Sequence, residues 1–270
     1  MERPGRPDPE TLTAFGVAGV LPEPLSGGRG LTWRVGDLVL RPHGDPTEAA
    51  WKADVLAGLP HTAEFRTPGP VPTRDGSWLH GGWEASTWVE GATDESRVRD
   101  VMRAGAAFHR ALADLPRPAF LDTTDDPWSR ADRMVWGETA LPQDPTLERL
   151  AAAFRPVGAP AQLIHGDLLG NVLFAPGVPP AVFDWAPYWR PAGLGAAIAA
   201  VDAVCWHGVP LDALGPLGAG VPAWSRLLVR ALAFRIATLV LLGAWDRVAA
   251  DHHRPVVAAV TAAGWGTVLA

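Results

Sequence analysis

The chain has 270 residues, a formal net charge of −6 and 48 % hydrophobic residues. That length allows one large domain or two small ones sharing a cleft, and the apolar content excludes global disorder. An acidic balance without a basic run argues against nucleic acid or an anionic membrane as partner, so a phosphorylated ligand would need local arginines or a metal ion.

The single cysteine, Cys205, lies in an apolar stretch. No disulfide can form within the chain, and a small buried hydrophobe is its expected role. The opening MERPGRPDPE has arginines but no apolar core behind them, unlike a signal peptide. The longest apolar run, 236–245, is about half of the ~20 residues that span a bilayer. A cytoplasmic protein is therefore expected. The basic residues are arginines except for one lysine, Lys52.

In chain order, residues 10–15 suit a short helix, with Asp8 as cap and Pro9 in its first turn. Gly27-Gly28-Arg29-Gly30 is a flexible turn. Two β-rich runs, 31–35 and 38–41, flank Gly36-Asp37 and predict a hairpin. Asp45-Pro46 opens a helix to about Leu56. A second hairpin is expected from 71–74 and 77–79 around Asp75-Gly76, then a strand over 83–89. Glu90-Gly91 marks the lobe junction. Beyond it the pattern is mostly helical: 95–115 with apolar residues near a 3.6 period, then 128–139, 146–154, 193–206, 223–248 and 255–265. Short strands interrupt this at 163–174 and 181–183. A β-rich first third before a helical remainder is an α+β pattern, with lobes 1–90 and 91–270.

The chemistry concentrates in Leu163-Ile164-His165-Gly166-Asp167-Leu168-Leu169-Gly170-Asn171-Val172-Leu173-Phe174, followed thirteen residues after Asn171 by Asp184. Apolar strand residues frame a polar loop carrying a carboxylate and an amide. Phosphoryl transfer needs a carboxylate near the attacking hydroxyl and oxygen ligands for Mg²⁺. Asp167, Asn171 and Asp184 supply that set.

This segment resembles the catalytic loop of aminoglycoside phosphotransferases and related small-molecule kinases, and Phe183-Asp184-Trp185 resembles their metal-binding motif. The resemblance implies a bilobal protein-kinase-like fold, with ATP and Mg²⁺ between the lobes. It implies Asp167 as catalytic base and Asn171 and Asp184 as metal ligands. For the nucleotide it implies Gly28, Arg29 and Gly30 in a covering loop, Arg41 at the strand end where these kinases carry lysine, Glu48 as the partner of Arg41, and Val89 at the lobe junction. An inward-turned Lys52 is the other candidate phosphate clamp. Two departures stand out: Arg41 itself, because arginine and lysine are not interchangeable, and Asn171 four residues after Asp167 where five is usual.

His109 reads as a satisfied structural histidine. Asp202, alone in an apolar helix, is costly to bury unless hydrogen-bonded. By the resemblance it would brace the catalytic loop, accepting from amides near His165 or Gly166. Trp128 and Trp136 with Asp122, Asp125, Asp126 and Asp132 fall where relatives build a substrate wall. They would suit an amine-bearing acceptor, or form a solvated acidic face with two core tryptophans. The implied function is a phosphotransferase acting on a small-molecule hydroxyl. A nucleotide-binding regulatory module that has lost transfer is the alternative, and a protein kinase is weaker for want of an activation segment. Neither the acceptor, the choice of ATP over GTP nor the oligomeric state can be read from the sequence.

Overall fold

The computed structural model describes residues 5–25 and 30–262. The chain forms two compact units, residues up to Ala92 with Phe174–Phe183, and Thr93–Leu173 with the chain from Asp184 on. The return of Phe174–Phe183 to the first unit is not contained in a linear division at residue 90. Backbone bonds carry it: Arg66 N–H donates to Pro180 O (2.9 Å), Val182 N–H to Arg66 O (2.9 Å), and Phe174 N–H to Ala92 O (2.9 Å).

The first unit opens with α1 (Pro9–Ala14), whose Asp8 cap accepts from Thr11 N–H at 2.7 Å. A five-stranded antiparallel sheet follows, built from β1 (Glu23–Pro24), β2 (Trp33–Val35), β3 (Leu38–Pro42), β4 (Leu79–His80) and β5 (Trp83–Thr87), in the order β1-β2-β3-β5-β4. The β2–β3 hairpin turns at Gly36-Asp37 as expected, with Val35 opposite Leu38 and Gly36 at φ +62°. That left-handed backbone suits a two-residue turn and favours glycine. The sheet buries Val35, Leu40, Trp83 and Ala85 against Leu12 and Phe15 of the α1 segment. Helix α2 (Pro46–Gly58) is capped by Asp45, which accepts from Glu48 N–H at 2.9 Å.

The expected second hairpin is a correction. Residues 71–79 form a tight turn, with Thr73 N–H on Ser77 O at 2.8 Å, rather than a ladder. The true hairpin lies one step on, where Leu79 pairs with Glu84 and His80 with Trp83 across Gly81-Gly82. The Asp75 side chain accepts from Thr73 Oγ1 (2.5 Å) and Ser77 N–H (3.1 Å), closing the local turn that competed with strand pairing.

The second unit is helical: α3 (Val98–Ala111), α4 (Pro127–Val135), α5 (Pro145–Ala152), α6 (Gly193–Trp206), α7 (Leu214–Leu217), α8 (Trp224–Leu241) and α9 (Arg247–Thr261). A two-stranded antiparallel ribbon joins β6 (Ala161–His165) to β9 (Pro187–Pro191), with His165 opposite Pro187. Short strands β7 (Val172–Leu173) and β8 (Ala181–Val182) lie between these two in sequence. Several helix ends shift, such as Val135 for the expected 139, and the last two helices shift most. The helix expected over 223–248 stops at Leu241, because Gly243 takes φ +68° and Asp246 caps a new helix through Ala249 N–H at 2.8 Å. That new helix runs through Pro255 instead of starting there. Among the described residues no helix is long and apolar enough to cross a membrane. The fold class is the expected kinase-like α+β arrangement.

Candidate active site

His165 ends β6 and delivers the loop. Its ring is fully buried, and Phe108 of α3 packs edge-on to it and to Trp185, with centroids 6.4 and 5.5 Å apart. Trp185 in turn donates its indole N–H to Ile164 O at 3.0 Å. The Asp167 amide donates to His165 Nδ1 at 3.1 Å, so the histidine side chain organises the first residues of the loop.

The four-residue spacing from Asp167 to Asn171 has a local explanation. Asn171 N–H donates to Leu168 O at 3.0 Å and Gly170 sits at φ +84°. That is a β-turn with glycine at the left-handed position, a tight return that needs no fifth residue. It swings the Asn171 side chain back on Asp167, where Nδ2 donates to the carbonyl oxygen at 2.7 Å and to Oδ2 at 3.2 Å. Because its nitrogen is used this way, the Asn171 amide presents its oxygen as the remaining acceptor.

The other carboxylate oxygen of Asp167, Oδ1, accepts from Arg235 Nη2 at 2.6 Å. Arg235, on α8, also grips Asp202 of α6: Nε donates to Oδ1 at 2.8 Å and Nη2 contacts Oδ2. Asp202 is 5 % exposed, so the buried carboxylate has its counter-charge. Burial opposes the charge on Arg235, but Asp202 and Asp167 more than offset it and hold its pKa above the ordinary value. The expected contact from Asp202 to the loop amides is corrected accordingly. A guanidinium engages both carboxylate oxygens from the side and joins Asp202 to Asp167 of the loop.

Direct bracing falls to His109. Its Nε2 accepts the His165 amide proton at 2.8 Å, while its Nδ1 faces Ala192 O at 3.1 Å. Burial pushes the His109 pKa down to about 3, so the ring is neutral and one nitrogen stays available as acceptor. Helix α6 comes close enough for a Cβ at Gly195 to lie 2.6 Å from His165 O, and a Cβ at Gly166 would lie 2.4 Å from the Tyr188 ring. Both positions require glycine on steric grounds.

Asp184 belongs to the same unit, is exposed and takes φ +49°, a left-handed conformation that Asp tolerates better than most residues. On the first unit, Gly30 is at φ +71° and Val89 is half-buried just after β5. Gly28 and Arg29 lie outside the described residues. The expected Arg41–Glu48 pair is not formed. Arg41 stands directly opposite Glu84 in the β3–β5 ladder, and its Nε contacts Glu84 Oε1. Glu48 instead pairs with Lys52 one helical turn on, at 3.0 Å. Cross-strand and i,i+4 neighbours lie close enough to pair without help from other elements.

The acidic segment has other partners too. Asp122 pairs with Arg117 at 2.6 Å, and Asp125 with Arg133 at 3.4 Å. Asp126 caps α4 through Trp128 and Ser129 N–H. Asp132 takes a bidentate guanidinium from Arg190, with Nε donating to Oδ1 at 3.0 Å and Nη2 to Oδ2 at 2.6 Å. Trp136 lies under Arg190 and Arg230, at 5.1 and 4.5 Å. Trp128, by contrast, lines a cavity of about 280 Å³ that also reaches Asp167, Asp202 and Arg235. Arg235 and Trp206 are the site residues that the sequence reading missed. An arginine inside the apolar run of α8, 33 residues from a lone buried aspartate, was the available signal for Arg235.

Residues 23–199 match the family model described as the phosphotransferase enzyme family, and the chain belongs to that family. Its fold is similar to an aminoglycoside phosphotransferase from Alicyclobacillus acidocaldarius (TM-score 0.53, 17 % identity, 99 % of this chain and 96 % of that one). It is also similar to spectinomycin phosphotransferase APH(9)-Ia in complex with ADP and spectinomycin (TM-score 0.57, 12 % identity, 94 % and 96 %). A choline/ethanolamine kinase family protein from Mesorhizobium loti shares the fold as well (TM-score 0.51, 20 % identity, 94 % and 92 %). Among curated proteins none matches the sequence.

Proposed function

We propose that this chain transfers the terminal phosphoryl group of ATP, with Mg²⁺, to a hydroxyl group of a small molecule. The observation that carries the reading is Asp167. Its side chain is 47 % exposed and lines the cavity, yet both carboxylate oxygens are oriented, one by Asn171 and one by Arg235. A carboxylate so placed can accept the hydroxyl proton while the acceptor oxygen attacks phosphorus. Arg235 fixes the carboxylate plane, and His109 and His165 fix the backbone beneath it.

The donor set suits a hard cation: the Asn171 amide oxygen and the exposed Asp184 carboxylate are oxygen ligands of the kind Mg²⁺ takes. Bound there, the ion would neutralise charge on the nucleotide phosphates. On the nucleotide side the assignment is Gly30, Arg41, Glu48 and Val89, with Gly28 and Arg29 outside the described residues. Glu84 then joins the set as the residue that holds Arg41.

Asp167→Asn is expected to retain nucleotide affinity and to lose ~10²–10⁴-fold in transfer, measured as ADP release with a saturating acceptor. Turnover at the wild-type rate would remove Asp167 as base. Asp184→Ala is expected to abolish the Mg²⁺-dependent part of thermal stabilisation by nucleotide. A nucleotide-binding module without transfer is the second reading, favoured by Arg41 standing where these kinases carry lysine. Nucleotide-dependent stabilisation without ADP release across a broad hydroxyl panel would select it.

A further inference from the structure

Resting on the phosphotransfer reading, we propose that the acceptor is an uncharged hydroxyl compound with a flat or apolar body, seated in the cavity beside Asp167, and not a polyamine. The cavity lies wholly within the second unit, and its volume, about 280 Å³, is at the small end for small-molecule sites. Its walls are Trp128 at the start of α4, Trp206 at the end of α6, Leu169 of the loop, and Leu239 and Leu242 at the end of α8. Two of these are exposed in a way that cores are not: Trp206 at 44 % and Leu242 at 47 %. Among the described residues of the second unit, the only other exposed large hydrophobic is Val248. Exposed apolar area gathered around a polar floor is the composition of a ligand site.

The charge balance argues against a polycation. Asp167 and Asp202 line the floor, and Arg235 neutralises one of them, which leaves a single net negative charge; His207 stands beside them. A polycation needs a surplus of carboxylates. The nearby acidic segment offers little of one: Asp132 is buried against Arg190, Asp126 is spent on a helix cap, and the exposed Asp122 and Asp125 each stand beside an arginine. A cationic acceptor would also approach the guanidinium of Arg235 at the very carboxylate it has to reach. An uncharged ring system meets none of these obstacles and gains aromatic contact with Trp128 and Trp206.

The test is binding to the full chain, followed by ligand-observed NMR and calorimetry, with naphthylmethanol and cyclohexylmethanol as neutral probes and spectinomycin and hygromycin B as aminated ones. The neutral alcohols are expected to saturate at millimolar concentration, as small fragments do. They should bind about tenfold tighter than the aminated compounds, with naphthylmethanol the tighter of the two. Trp206→Ala should weaken naphthylmethanol about tenfold, and Trp206→Phe should restore most of that. Leu242→Glu, on an exposed position, should weaken naphthylmethanol and strengthen the aminated compounds. Tighter binding of spectinomycin or hygromycin B to the wild type would overturn the proposal, as would absence of saturable neutral binding or indifference to both Trp206→Ala and Leu242→Glu. ADP release separates the two levels. Release with aminated acceptors alone overturns this inference and upholds transfer. Selective neutral binding without any release upholds the cavity's selectivity and overturns transfer.

Discussion

The charged groups of the two units are held in different ways. At the loop of the second unit one buried guanidinium is shared: Arg235 is clamped between buried Asp202 and half-exposed Asp167, and the neutral His109 stands beneath the loop with both ring nitrogens engaged. In the first unit the charges sit in partly exposed pairs, Arg41 with Glu84 across two strands and Glu48 with Lys52 along one helix. The contrast teaches that the position of Asp167 is fixed by the fold before any ligand binds. The first-unit pairs are set by neighbours on one helix and across one ladder.

The sharpest way to break that contrast is Arg235→Met. Removing the guanidinium strands Asp202 as an uncompensated buried charge, and loss of one partner of a buried pair costs ~3–5 kcal/mol. Chemical denaturation should show that loss, and Arg235→Met combined with Asp202→Leu should recover a large part of it. If the single variant were as stable as the wild type, the pair would not be a buried one.

Acid stability probes His109. Its folded pKa, about 3, lies below the ordinary histidine value of 6.5. Between those values the unfolded chain binds a proton that the folded chain does not, so stability falls as pH drops from about 6.5 toward 3. The slope from this one group is about 1.4 kcal/mol per pH unit, and the total between pH 6.5 and 4.5 is on the order of 2 kcal/mol. His109→Gln should flatten that part of the profile. An unchanged slope would mean that His109 is not held neutral.

Gly195→Ala probes the approach of α6 to the loop. A Cβ 2.6 Å from a backbone oxygen forces a shift, with an expected cost of ~1–3 kcal/mol and lower turnover from a displaced His165. The smallest effect on stability belongs to the first unit. Arg41→Met and Lys52→Met should each change it by less than ~1 kcal/mol. Nucleotide titration should then rank them, with Arg41→Met weakening affinity more than Lys52→Met. The reverse ranking would move the phosphate clamp to Lys52.

These outcomes bear on what was legible beforehand. Helix starts were readable where a side chain closes them locally, as at Asp8 and Asp45, because an N-cap bond spans only three residues. The Gly36-Asp37 hairpin was readable for the same reason. The loop at 71–79 was not, because Asp75 closes a tight turn that a strand pattern cannot distinguish from a hairpin end. Arg41 was placed on the right strand, but its partner was assigned from the following helix. The ladder register that sets Glu84 opposite it is a long-range property.

The sequence by itself determined the division into a β-rich first third and a helical remainder, and the His165–Asn171 loop with its flanking apolar strands. It also contained the glycine at 170 that shortens the return to Asn171. Each rests on interactions within a few residues, so residue type and spacing suffice. The tertiary structure alone decided that His109 braces the loop, that Arg235 joins Asp167 to Asp202 and that Trp206 meets Trp128 around a cavity. Those contacts join residues 33 to 78 positions apart, and only the packing of α3, α4, α6 and α8 around β6 brings them within reach.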